Sequence, residues 1–296
     1  MCSDKMNNLK KQVQWLIVRI ITWLVYHFSI NIKLLNVLLF PLTLFQIIRN
    51  YKKWNVYVRY KYIIGSNKSS VQFIINTFTR KTSDAILARV LNKYPGCFSK
   101  YVSVKGDVYV KELQRENKGV IVIGNHGGLF MLQTFVFSKV FNIPLSSYSS
   151  PSLKARTDRD QDREINQLIQ QFPVYFVGEE KKFLNALLAG EWINILLDVT
   201  VNSNLSPNCT FAEHPIQLSQ FPFRIALKYN IPVLYTEVKR VQKGTRIQID
   251  IRPVNNFSDP DEGLHKYVEY LESTIFSDNY SNTLMPFVLQ TAKTIA

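Results

Sequence analysis

The feature that most constrains this 296-residue chain is Gly119-Val-Ile-Val-Ile-Gly-Asn-His-Gly-Gly128, a wholly apolar run that ends on one histidine among glycines. Successive β-branched residues from Val120 to Ile123 fit a strand buried on both faces better than an amphipathic helix. Such a strand belongs to a mostly parallel sheet covered by helices. His126 then falls just past the carboxyl end of the strand, the edge at which open α/β sheets hold their ligands. Glycines at 124, 127 and 128 let backbone and substrate come close. The chain has four histidines, and His126 has the most site-like surroundings of them.

A hydrophobic content of 46% supports a sizeable core without disulfides. The cysteines, Cys2, Cys97 and Cys209, lie far apart and form no Cys-x-x-Cys pair. Neither a zinc knuckle nor a disulfide framework is supported, and a reducing compartment is the expectation. A formal charge of +14 favours anionic partners: lipid headgroups, nucleic acid or an acidic carrier protein.

The charge has a pattern. Lys5, Lys10 and Lys11 precede an apolar run from Val13 to Ile32. Arg49, Lys52, Lys53, Arg59 and Lys61 follow a second run, Leu34 to Ile48, interleaved with Tyr51, Trp54, Tyr57, Tyr60 and Tyr62. Cations and aromatics at the end of an apolar run resemble a membrane-interface belt, and with no nucleic-acid-binding motif beside them, nucleic acid is not an expected partner. About 20 apolar residues suffice to span a bilayer, and Arg19, near one end of the first run, can snorkel. The second run carries Pro41 and is too short to cross comfortably, so it reads as interfacial, re-entrant or packed on the rest of the protein. No small-residue cleavage site follows the first run, which argues against a cleaved signal peptide. The alternative is that both runs are buried helices of a soluble fold. The expected division is a helical membrane-associated anchor over residues 1–62 and an α/β domain over residues 63–296.

Beyond about residue 65 strands and helices alternate. Val71–Lys93 has helical period, with Phe73, Ile74, Phe78, Ile86, Leu87, Val90 and Leu91 as its apolar stripe. Expected strands are Val102–Val110, Val120–Asn125, Leu145–Tyr148, Val174–Val177, Ile193–Asp198, Val233–Val238 and Ile247–Ile251. Expected helices are Leu129–Val140, Asp158–Gln171, Glu180–Ala189 with Gly190 as its cap, Leu218–Tyr229 and Asp261–Ile275. The fold class is therefore α/β, with a mostly parallel central sheet flanked by helices. One connection, Val199 to Gln217, is long and rich in Asn, Ser and Pro, as functional loops are. It begins just after Asp198, so Asp198 and His126 both sit at strand carboxyl ends.

A neutral histidine accepts a proton from an attacking hydroxyl best when a carboxylate holds its other ring nitrogen in one tautomer. The first turn of the following helix is an obvious place for that acid, yet none occurs from His126 through Val140. With this gap noted, the segment resembles the His-x4-Asp/Glu motif of lysophospholipid acyltransferases, with Met131 at the acidic position. The wider layout is similar to the lipid A biosynthesis branch of that superfamily. The likeness covers roughly residues 10 to 255: a basic, apolar amino-terminal segment, the apolar strand ending in His126, the block Leu187-Leu-Ala-Gly190 to Leu196-Leu-Asp198, and Phe211 to Val233. Met285-Pro-Phe-Val-Leu-Gln290 departs from the Trp- and Arg-rich ending of that branch.

The resemblance implies a histidine general base and an acyl thioester donor, carried by acyl carrier protein or coenzyme A. It also implies a lipid acceptor at the cytoplasmic face of the cell inner membrane, and neither a metal nor a tightly bound cofactor. Asp198 is the candidate to orient His126 in place of Met131, since neighbouring strands lie about 5 Å apart. Backbone amides near Gly127 and Gly128 are candidate oxyanion donors, with Asn125 beside them. Arg156 and Arg159 are candidate contacts for an acidic carrier or a phosphate, although the alternating charges around them read more simply as a solvated helix face. A catalytically silent relative that binds lipid or serves as a scaffold is the competing reading, and Met131 is its support.

Other residues carry less. No Gly-x-Ser-x-Gly elbow accompanies His-Gly-Gly, which excludes an α/β-hydrolase nucleophile. Cys209 and His214 lack any supporting pattern for a thiol nucleophile. His27 and His265 read as an interfacial and a surface histidine, and Phe130, Phe135 and Phe137 as core rather than an acyl groove.

Overall fold

The computed structural model describes residues 16–28, 30–126, 131–149, 173–198, 208–241, 246–254 and 256–278. The chain forms two compact units that interleave along the sequence. The first comprises Met1–Trp54, Lys68–Ser103 and Arg240–Ile247, and the second Asn55–Asn67, Val104–Lys239 and Gln248–Ala296.

The first unit is mainly helical: α1 Leu16–His27, α2 Ile32–Leu38, α3 Phe40–Arg49, α5 Ser70–Lys93 and the short α6 Phe98–Tyr101, with α4, Trp54–Ile63, leading out of its first segment. Here the structure corrects the expected span. The run from Val13 to Ile32 is not one helix, because α1 stops at His27 and Asn31 begins another, its side-chain oxygen accepting the Leu34 N–H at 2.9 Å. The second run is also cut, for α2 and α3 meet at a 59° bend. Pro41 lies in the first turn of α3, where a missing N–H breaks no helical bond. Among the described residues no single helix is long and apolar enough to cross a membrane, and only the bent pair α2–α3 has the combined length and composition. The stripe expected on α5 is borne out: Phe73, Ile74, Phe78, Ile86, Leu87, Val90 and Leu91 are all buried.

The sheet has seven strands in the order β1-β9-β8-β2-β5-β3-β4. Its strands are β1 Val102–Lys105, β2 Val120–Gly124, β3 Leu145–Ser149, β4 Val174–Phe176, β5 Trp192–Leu196, β8 Val233–Val241 and β9 Arg246–Pro253. The helices of this part are α7 Asp107–Glu116, α8 Met131–Lys139, α9 Glu180–Leu188, α10 Phe221–Tyr229 and α11 Pro260–Asp278. β2 is central and parallel to both neighbours, β5 on one side and β8 on the other, while β3 pairs in parallel with β5 and β4. All five of its residues are buried, as the unbroken β-branched run required. The chain leaves β2 toward β3 and β4, returns to insert β5, and only later builds β8 on the opposite flank. That reversal makes the carboxyl end of β2 a topological switch point.

Two expectations need correction. The strand expected at Val102–Val110 ends at Lys105, because Gly106 turns the chain at φ +83° and Asp107 opens α7. A Cβ at Gly106 would lie 1.9 Å from the Ile251 carbonyl oxygen, so only glycine fits there. Val108 and Val110 alternate like strand residues but lie on a helix, where Val110 is the buried one and an Asp107–Lys111 pair at 2.6 Å spans one turn. The second correction concerns the long connection. Its described half is a hairpin, β6 Asn208–Phe211 against β7 His214–Gln217, turned by Ala212 and Glu213 at φ +49° and +65°. The expected helix Asp158–Gln171 lies outside the described residues, as does the connection from 199 to 207. The expected cap at Gly190 is present, at φ +95°, its N–H bonded to the Leu187 carbonyl at 3.0 Å.

Candidate active site

The site grows directly from strand register. β2 and β5 pair Gly124 with Leu196 at their carboxyl ends, and two residues further along each chain stand His126 and Asp198. His126 Nδ1 and Asp198 Oδ1 are 2.7 Å apart. The His126 backbone N–H donates to the other carboxylate oxygen at 2.8 Å, so one carboxylate holds both the main chain and the ring of one residue. The carboxylate can only accept, which places the ring proton on Nδ1 and the basic lone pair on Nε2.

Burial separates the two partners. Asp198 is wholly buried, whereas the His126 side chain is 21% exposed. Two N–H groups of His126 satisfy the buried carboxylate; taking the imidazole away would leave it under-compensated, which typically costs about 3–5 kcal/mol. The imidazole reaches solvent from a fixed base, the arrangement a general base requires.

Several residues brace this strand end. Tyr267 on α11 donates its hydroxyl to the Gly124 carbonyl at 3.3 Å. Asn125 Nδ2 donates to the Tyr235 hydroxyl at 3.1 Å, and Tyr235 lies 3.2 Å from Thr274 Oγ1. Thr274 already donates its only proton to the Tyr270 carbonyl at 2.8 Å, so Tyr235 must donate to Thr274. The chain Asn125 to Tyr235 to Thr274 to Tyr270 thus has a single direction. Burial pushes the Tyr235 and Tyr267 phenols upward, and the Asp198 charge adds to the effect in both, so they stay protonated donors. On the α8 side, Gln133 donates to the Thr236 carbonyl at 3.3 Å and packs over Gly124. A Cβ at Gly124 would lie 2.5 Å from its amide oxygen, so a larger residue there would displace the Gln133 amide.

Of the residues expected in the site, His126, Asp198 and Asn125 come together. Gly127, Gly128, Arg156 and Arg159 lie outside the described residues, and of Met131 only its place at the start of α8 is described. Glu191 directly precedes β5 and so sits at the amino edge of the sheet, away from His126, accepting from Ser146 and Tyr175, both at 3.0 Å. Glu213 is in the hairpin turn. Cys209 is buried, donates to the Ile216 carbonyl at 3.5 Å, and has its thiol pushed up to about 11 by burial, the opposite of an activated nucleophile. It pairs across the hairpin with Ile216, while His214 pairs with Phe211. His265 is exposed and bonds the Asp261 carbonyl at 2.8 Å, and His27 packs against Trp23 at 4.6 Å between ring centres. Phe135 and Phe137 are core. Among the described residues no group of three or more His, Cys, Asp or Glu could hold a metal ion.

Tyr235, Tyr267, Thr274 and Gln133 were not anticipated. The alternation in Val233-Leu-Tyr could have put Tyr235 on one face of its strand, but the register Ile123 to Tyr235 that aims it at Asn125 is a property of pairing, not of local sequence. What fold and site together define is an α/β protein with an Asp–His pair at the switch point of its sheet. The chain matches no family model, and no curated protein matches it significantly.

Proposed function

We propose that the protein is an acyltransferase that moves a fatty acyl group from an acyl carrier protein or coenzyme A thioester to a hydroxyl or amine of a lipid acceptor. The observation that carries this reading is the 2.7 Å contact between His126 Nδ1 and the buried Asp198, which supplies from a neighbouring strand the acid that Met131 cannot be. In the reaction His126 Nε2 removes the acceptor proton as the acceptor oxygen or nitrogen attacks the thioester carbonyl. The tetrahedral intermediate then collapses, the carbon–sulfur bond breaks, and the imidazolium returns its proton to the departing thiolate. Asp198 stays ionised and stabilises the imidazolium formed between the two steps.

The silent scaffold is the second reading, and Met131 in place of the motif acid is the residue that favours it. An oriented imidazole weighs against it, since a scaffold has no use for a fixed tautomer. Acceptors of this kind reside in membranes, and the exposed apolar side chains of α1 to α3 support a protein lying in the membrane interface; the cytoplasmic face is what the family resemblance implies. The test is turnover of a panel of acyl thioesters with membrane lipid extracts by wild type and His126→Ala. Loss of transfer in the variant is the expected result; equal transfer by both proteins removes the catalytic role of His126.

A further inference from the structure

The first unit distributes charge in a way no globular core requires. Met1–Trp54, Lys68–Ser103 and Arg240–Ile247 together contain 17 Lys and Arg against 2 Asp and Glu, a formal +15, while the rest of the chain has 19 against 20. The whole net charge of +14 thus belongs to this unit. Of its two acids, Asp84 is buried in α5 and bound by the Arg240 guanidinium, whose Nε donates at 3.1 Å. Among the described residues this unit has no exposed carboxylate.

Its first three helices bury apolar side chains on one face, Val25, Ile32, Leu35 and Ile47 among them, but leave other large apolar side chains exposed. α1 buries Thr22 and Val25 while Trp23 is exposed, and α3 buries Thr43 and Ile47 while Phe45 and Ile48 face outward. On α2 Val37 is 68% exposed, and beyond α1 Phe28 is 67% exposed. The same helices therefore present large apolar side chains to solvent as well as to the core, as interaction surfaces do. Exposed cations accompany it: Arg19, Lys33, Arg49, Lys52 and Lys53 occur in the same helices and the turn after α3. Burial, with repulsion from Lys53, holds the Lys81 ammonium down at about 8, which marks a cation in a region poor in counter-charge.

We infer that the first unit is a monotopic docking surface for anionic lipid bilayers, in which apolar side chains enter the headgroup boundary and the excess of Lys and Arg over Asp and Glu selects acidic headgroups over zwitterionic ones. Apolar area alone would bind any lipid; the charge imbalance is what makes the choice. The inference rests on the membrane-surface part of the proposed function and is independent of acyl transfer. Nucleic acid would satisfy the charge but not the exposed aliphatic face.

The test uses the full chain and its His126→Ala variant in flotation with vesicles of phosphatidylcholine alone and of phosphatidylcholine and phosphatidylglycerol in equal parts. Both proteins should float with the mixed vesicles and partition at least tenfold less onto the neutral ones. Raising salt from about 0.1 M to about 1 M shortens the screening length from roughly 10 Å to roughly 3 Å and should erase most of the difference. Lys33→Gln, Arg49→Gln and Lys52→Gln should each weaken anionic binding by roughly fivefold, leaving neutral binding unchanged. Equal partition onto both vesicles overturns the selectivity and leaves membrane attachment standing. Absence of binding to either overturns both, and tighter capture by a duplex DNA fragment than by the mixed vesicles replaces the lipid partner with nucleic acid.

Discussion

The first unit and the sheet of the second treat apolar surface in opposite ways. On α1 to α3 Trp23, Val37, Phe45 and Ile48 face outward although Ile32, Leu35 and Ile47 of the same helices are buried. In β2 every residue is buried and the polar groups come only where the strand ends, at Asn125 and His126. The second arrangement is what folding in water selects; the first needs another phase to be satisfied. The two proposals thus rest on different parts of the chain, and each can be tested without the other.

One substitution made in both places gives the sharpest break. Val122→Asp puts a charge into the middle of the covered strand and should abolish cooperative unfolding of the protein, a loss of several kcal/mol. Val37→Asp, on the exposed face of α2, should change stability by less than about 0.5 kcal/mol and yet reduce vesicle binding. Urea unfolding and flotation report the two quantities separately. If Val37→Asp destabilised as severely as Val122→Asp, the outward face of α2 would have to be buried.

Smaller effects probe the bracing of the site. Tyr235→Phe removes the acceptor for Asn125 and the donor for Thr274 while keeping the ring stacked on Tyr270, so about 1–2 kcal/mol of stability should disappear. An unchanged urea midpoint would mean that this chain of hydrogen bonds holds nothing. At pH 8 iodoacetamide should modify the part-exposed Cys97 well before Cys209, whose thiol is held near 11 by burial. Equal rates, followed by mass spectrometry, would contradict a closed hairpin core.

The smallest expected effect lies at the start of α11. Hydrogen bonds from the Ser258 backbone and hydroxyl and from Lys266 hold the Glu262 carboxyl down at about 2, against an ordinary 4.5. Its folded state favours the charged form, so its contribution is full above the ordinary value and is lost as pH falls from there toward 2. Glu262→Gln should flatten the pH dependence of unfolding in that acid window alone, and a change confined to neutral pH would contradict this assignment.

Most of the sheet was legible because its strands are apolar runs punctuated by Gly, Pro and Asn. β2, β3, β4, β5, β8 and β9 lie within three residues of their expected ends. Asp107–Glu116 was misread because Val108 and Val110 imitate a strand, and the decisive residue, Gly106, acts through a contact with Ile251 that is remote in sequence. The apolar amino-terminal run was readable as apolar but not as broken, although Asn31 is the kind of residue that starts a helix. At the site, His126 and Asp198 could each be placed at a strand end. That their strands are neighbours, in a register setting one level with the other, came from the insertion of β5 beside β2. The tyrosines of β8 and α11 that brace them left no local signal.

The most direct test of the Asp–His pair as a catalytic base is the rate of acyl transfer from a thioester to lipid acceptor by Asp198→Asn, compared with wild type at matched fold by circular dichroism. An asparagine keeps the shape but cannot stabilise an imidazolium, and a fall of roughly 100- to 10,000-fold in kcat is predicted. A variant that stays folded and turns over at the wild-type rate would contradict the account.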